Sequence, residues 1–331
     1  MTRAALVLAV VLALARGAAA DPVTVRFSTT LPLFAPVAKD VLIPWFKEVE
    51  SDSGGTIAFQ QFWGGQLVAN QPREWDALMN HVFDIGALVP AFYLQALPDS
   101  SIFALPGVVR SAEEAAVGGW KMNDANLLRG MDKLYVIATF SNDPGGLHFA
   151  RPIASLAAVK GLKIRVSGPA EAQIVEALGA APVGMNVSDM AEALSRGVYD
   201  GSLNGWSANH LFRVTPVLKA HFDLSLGVRQ FVFGMNRQAY DALPEAAKAA
   251  LAKHSGLALS LRMAHAMEQD GERERAEAKD KGMIVGLSAA DETRLNGVYK
   301  PLIDTWIAAQ PEGAKKFAFL DATLADYRKG H

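Results

Sequence analysis

Apolar and polar residues alternate from Val23 to Ser28 and again from Thr56 to Phe62, the period of half-buried strands. Between them Val37, Val41, Trp45 and Val49 recur every four residues, which predicts a helix after Pro36. Pro44 lies inside that helix and should kink or restart it, because proline has no amide proton to donate. Val82 to Leu88 reads as a third strand, Ala112 to Met131 as helical and Leu134 to Phe140 as a strand. Strands that alternate with helical patterns mark an open α/β sheet.

The stretch Lys160 to Trp206 is the most sharply patterned. Leu162, Ile164 and Val166 alternate with Lys163 and Arg165 as a strand. Pro169 then suits a first helical position, Ile174, Val175 and Leu178 form an apolar face, and Gly179 stops the helix. Ser188 is placed to cap a second helix that carries Met190, Ala193 and Leu194 and ends at Gly197. A short strand from Val198 to Leu203 follows, then Asn204-Gly205-Trp206. The stretch therefore reads strand, helix, turn, helix, strand.

Asn142-Asp143-Pro144-Gly145-Gly146 is a turn cluster and a natural first crossing between two domains. Arg229 to Met235 reads as a strand that returns the chain. Pro244 to Gly282 is the longest helical pattern, with a break expected at Gly256 or Gly271. Its charge-dense end, Glu268 to Gly282, reads as a solvated face with i,i+4 pairs. A last amphipathic helix covers Asp291 to Ala309. The expected division is 21–142 with 231–270 as a first domain, 143–230 with 271–298 as a second, and 299–331 as a C-terminal helical segment.

Residues 1–20 read as a cleaved signal peptide. Arg3 is its positive start, Ala4 to Leu14 an apolar run too short to span a bilayer, and Ala18-Ala19-Ala20 the cleavage signal before Asp21. The mature chain is then exported. Lys and Arg total 32 against 34 Asp and Glu, and the leader removes two of the arginines, so no basic stripe is left for nucleic acid. With no cysteine, thiol catalysis, disulfides and cysteine-ligated metals are excluded.

The chain has no G-x-G-x-x-G, phosphate loop, H-E-x-x-H or G-x-S-x-G motif. Its histidines are scattered without metal-ligand spacing, so neither metal nor cofactor is expected. Arg165 stands out: it ends a strand just before a turn into a helix, and ligands of open α/β sheets bind at such carboxyl ends. Its planar fork matches a carboxylate bidentately, although a rim arginine exposed to water fits the same pattern. Asn204 leaves a second strand end with a donor and an acceptor. Phe34, Trp63, Phe92, Tyr93, Phe140, His148 and Trp206 also sit at or just after strand ends, as walls of a pocket or as ordinary core.

Three motifs stand together: Lys160-Gly161-Leu162-Lys163-Ile164-Arg165-Val166, Leu178 to Val183, and Gly197 to Asn204. Phe103-Ala104-Leu105-Pro106-Gly107 and Phe233 to Arg237, running on to Leu243-Pro244-Glu245, add to them. On these residues the chain resembles the periplasmic solute-binding subunits of tripartite ATP-independent periplasmic (TRAP) transporters, of the DctP type. The resemblance implies a two-domain clam-shell α/β fold with crossing strands and a long domain-spanning helix. It implies that Arg165 pairs with a ligand carboxylate, that Asn204 bonds nearby, and that a separate membrane permease receives the cargo. No catalysis is implied. Relatives that bind sialic acid carry a second arginine where Gly145 stands, polar groups at Val89 and Phe92, and an aromatic residue near Val187.

A polyhydroxylated sugar acid would thus lack partners. The expected cargo is an organic monocarboxylate with an apolar or aromatic body. Arg165 would anchor it, Asn204, Thr30 and His148 would orient it, and Phe92, Trp206, Phe34, Trp63 and Val187 would surround it. A subunit that presents its ligand to a membrane kinase, or a secreted hydrolase, are the alternatives.

Overall fold

The computed structural model describes residues 21–185 and 187–330, without the side chain of Ser188; the expected signal peptide and its cleavage point lie outside them. Ten strands form two five-stranded sheets among these residues. The first sheet holds β1 (Val23–Ser28), β2 (Ile57–Phe62), β3 (Ile85–Leu88), β4 (Leu134–Ser141) and β10 (Gln230–Asn236) in the order β2-β1-β3-β10-β4. The second holds β5 (Gly146–Phe149), β6 (Lys163–Val166), β7 (Ala181–Gly184), β8 (Gly201–Asn204) and β9 (Ala220–Phe222) in the order β7-β6-β8-β5-β9. In each, parallel strands run beside antiparallel ones that the crossing segments bring back.

The elements follow the sequence pattern with instructive exceptions. At Pro44 the helix restarts, as its missing amide proton predicts. A π-helical turn, Val37–Leu42, leads into the α-helix Ile43–Asp52, so Pro44 occupies a first-turn position where its missing amide is not needed. The turn expected after Gly179 contains strand β7, paired in parallel with β6. Ala-Pro-Val-Gly has little strand signal, and Pro182 is tolerated because β7 is an edge strand. The helix Met190–Ser195 starts after a 3₁₀ turn, Val187–Asp189. Whether Ser188 caps it falls on a side chain outside those described.

Two cores sit against the first sheet and one against the second, where a smaller cluster around Met190, Leu194, Tyr199 and Val214 also packs on Val183 of β7. On one face of the first sheet Phe27, Trp45, Phe46, Trp63 and Phe233 interlock edge to face, with Phe27 and Phe46 centroids 4.9 Å apart. The opposite face packs under Ala112–Asp124 and the C-terminal helix Gly313–Gly330, through Leu320 and Leu324. The expected C-terminal helical segment thus includes a helix that packs on Ala112–Asp124 beside the first sheet. Fully buried Asp99 meets Lys316 at 2.8 Å and Arg129 at 2.7 Å, tying that helix down. No helix among the described residues is long and apolar enough to cross a membrane.

Two crossing segments and two helices join the sheets. The crossings pair with each other: Gly145 N donates to Gly227 O at 2.9 Å and Arg229 N donates to Asn142 Oδ1 at 2.7 Å. The segment Phe103–Gly107 braces them, since Val228 N donates to Phe103 O and Gly107 N to Ser225 O. The long helical pattern breaks at Gly256 (φ +107), not at Gly271, leaving helices Glu245–Lys253 and Leu257–Asp280. Gly271 instead lets the long helix touch the second domain: a Cβ there would lie 2.8 Å from both Asp143 Oδ2 and Ser207 N. The helix Ala289–Ala309 also spans both, with Leu295 and Val298 in the core of the second sheet and Trp306 in that of the first.

Candidate ligand-binding cleft between the two sheets

The carboxyl ends of β6 and β8 face the first domain across two adjoining chambers, both open to solvent. Asn142, Ser167, Glu171, Asn204 and Arg229 border both chambers. Arg165 opens onto the second chamber, whose apolar walls include Leu31, Phe212, Phe231 and Met267. Phe92, Leu203 and Leu226 wall the first.

Arg165 is not a rim residue. It sits on an inner strand between β7 and β8 and is 1% exposed. Its Nε and Nη2 both donate to Met185 O, at 3.1 and 2.7 Å. That grip fixes the guanidinium plane and leaves Nη1 buried with no partner among the described residues. Burial pushes its pKa down, Glu171 supports the charge and Arg229 opposes it, but a guanidinium stays protonated in any protein. A buried cation with an uncommitted donor is costly unless an anion completes it.

Asn204 closes β8. Its Nδ2 donates to Asn209 Oδ1 at 2.7 Å and to Gly205 O at 3.0 Å, and its Oδ1 is buried without a partner among the described residues. Asn209, on the helix Trp206–Leu211, therefore sets the orientation of this amide. Thr30 also reaches the Arg165 chamber, with its hydroxyl accepting from Gln71 Nε2 at 2.7 Å, and Val187 borders it. Behind this wall Tyr93 donates to Glu74 at 3.0 Å, and burial raises the Glu74 pKa to about 7.

Four residues expected at the ligand are elsewhere. His148 is wholly buried behind Asn204. The Asn204 carbonyl, 2.9 Å from His148 Nε2, can only accept, so Nε2 carries the proton and Nδ1 accepts from His221 Nδ1 at 2.8 Å. Burial holds both imidazoles neutral, well below their usual pKa. Trp206 caps this pair at ring distances of 4.8 and 4.5 Å and bonds Asp223. It belongs to the hinge side and not to the cleft lining. Trp63 packs on Phe27 and Phe46 in the core. Phe34 is 67% exposed, beside a shallow surface groove with His210 and Arg213. Of the expected walls only Phe92 and Val187 reach a chamber.

Sequence reading missed Glu171 and Arg229. Glu171 lies in the first turn of the helix Pro169–Ala177, where its Oε2 accepts from Ser167 N at 2.5 Å. Its Oε1 is 4.0 Å from Arg229 Nη2. The usable signal was position, since Glu171 follows a strand exit by one turn and Arg229 ends a domain crossing.

The family described as bacterial extracellular solute-binding protein, family 7 (DctP), matches residues 27–310. Three solved TRAP solute-binding proteins share the fold. One, from an unidentified microbe of a marine metagenome, is specific for aromatic acid ligands and holds 3-hydroxybenzoate; it is 27% identical, with a TM-score of 0.82 over 92% of this chain and 99% of that one. Another, from Rhodoferax ferrireducens with copurified benzoate, is 25% identical, with a TM-score of 0.81 over 93% and 99%. A third, from Desulfovibrio salexigens, is an open complex with the C-terminus of a symmetry mate in its ligand-binding site; it is 25% identical, with a TM-score of 0.82 over 93% and 97%. The match across nearly all of both domains, on a cleft built around a buried arginine, places this chain in family 7 of the bacterial extracellular solute-binding proteins, the receptors of TRAP transporters, which are not enzymes.

Proposed function

We propose that this receptor captures an organic monocarboxylate with an apolar or aromatic body and delivers it to a TRAP permease. The carrying observation is the buried Nη1 of Arg165, without a partner among the described residues, at the end of a chamber walled by Leu31, Phe212, Phe231 and Met267. A carboxylate would complete the guanidinium, and a ring or alkyl body would cover the walls. Asn204 orients the carboxylate, Thr30 borders it and Phe92 closes the neighbouring chamber. His148 acts one step back, by holding the Asn204 backbone. The relatives that bind 3-hydroxybenzoate and benzoate support an aromatic body. In this reading the protein works in the periplasm after cleavage between Ala20 and Asp21, a site that intact-mass analysis of the exported protein locates.

A thermal-shift screen of the ligand-free mature protein against organic acids and their amides tests the cargo class. A ligand at a hundredfold over its Kd adds ~2.7 kcal/mol of stability. The expected result is stabilisation by aromatic monocarboxylates and none by the matching amides. Equal shifts with acid and amide would contradict the anchor.

A further inference from the structure

We propose that Glu171 limits the cleft to ligands with one carboxylate by holding Arg229, the second cation that faces the cargo. The inference rests on the carboxylate reading above and adds what sets the charge that the cleft accepts. Arg165 and Arg229 border the same chamber, and Glu171 lies among them, 4.0 Å from Arg229. Asp270 also borders that chamber but is paired with Arg273 on its own helix. The cleft therefore presents two arginines against one uncompensated carboxylate, and a single ligand carboxylate makes it neutral.

A dianion would meet a different environment. Its first carboxylate would take Arg165. Its second would find Arg229 already held and Glu171 beside it, so like charges would be brought together with partial loss of water. Glu171 is fixed for this task by local structure. The Ser167 amide donates to its Oε2, and the first turn of a helix favours a carboxylate. Arg229 is fixed from the other side, by its backbone bond to Asn142 in the opposite crossing. The pair thus joins the second domain to the hinge across the cargo space.

Glu171→Gln keeps an oxygen for Ser167 N and removes the charge. The test uses two acids with the same ring, 3-hydroxybenzoate and isophthalate (benzene-1,3-dicarboxylate), and an open-chain pair, hexanoate and adipate. Calorimetric titrations at pH 7.5 compare wild type, Glu171→Gln, and Glu171→Gln combined with Arg229→Gln. The expected result is a wild-type preference for the monoanion of at least tenfold. Glu171→Gln should shift that ratio at least tenfold toward the dianion, and adding Arg229→Gln should remove the shift. An unchanged ratio in Glu171→Gln, with wild type still binding the monoanion, overturns the role of Glu171 and leaves the carboxylate reading standing. Wild-type binding of neither acid of either pair overturns both.

Discussion

Arg165 holds a permanent charge almost wholly out of water, with one nitrogen that has no partner among the described residues. Removing it should cost the cargo more than any other change at the cleft. Arg165→Met is expected to weaken carboxylate binding about a hundredfold or more, because breaking a buried charge pair costs ~2–5 kcal/mol. Asn209→Ala should weaken binding too without touching ligand, since Asn209 Oδ1 holds the Asn204 amide. Asn209→Asp, which keeps that acceptor, should restore much of the loss in the same titration. Arg165 and Asn204 were legible in the sequence because strand carboxyl ends face the cleft of an open α/β fold. The aromatic residues were not, because closeness to a strand end does not say which face a side chain takes. Trp63 turns into the core, Trp206 toward the hinge and Phe34 to solvent.

At the scale of elements, the strand and helix order was largely legible, and the misses have physical causes. β7 escaped because an edge strand needs little intrinsic propensity, and the π-turn before Pro44 is a local answer to a missing donor. The two crossings were legible as a turn cluster and a returning strand, but the contacts that brace them were not, since they join residues far apart in sequence. Gly227 shows this: its φ is +87, and a Cβ would lie 2.3 Å from Ala104 O in the bracing segment. Gly227→Ala is therefore expected to destabilise the protein by about 2 kcal/mol or more, read from urea unfolding. Gly271→Ala should push the long helix from the Trp206–Leu211 helix and lower stability in the same assay. If both variants unfold like wild type, the contacts between long helix, bracing segment and hinge are not what hold the two domains in register.

Across the whole molecule, buried carboxyl groups tie stability to pH. Glu268, on the long helix, accepts from Ala112 N, and burial raises its pKa to about 7; Glu74 is raised to about 7 and Asp143, at the first crossing, to about 6. All three bind protons more readily folded than unfolded. Their contribution is full below the unfolded pKa, near 4, and is lost as pH rises through 6 to 7. His148 and His221, held neutral, act oppositely, and their contribution is lost only as pH falls below about 6.5. From pH 6.5 to 8 the carboxyls dominate, so the Tm should fall as pH rises, and Glu268→Gln should flatten that slope. A flat wild-type profile would contradict the buried carboxyls.

Two crossings and two spanning helices also make a hinge, and cargo that contacts both domains should draw them together. The central claim is that a ligand carboxylate completes Arg165, and one titration tests it most directly. Ligand-free protein, wild type and Arg165→Met, would be titrated with 3-hydroxybenzoate and 3-hydroxybenzamide. The account predicts binding of the acid by wild type, none of the amide, and at least a hundredfold loss in the variant. Equal affinity of wild type and Arg165→Met for the acid would contradict it.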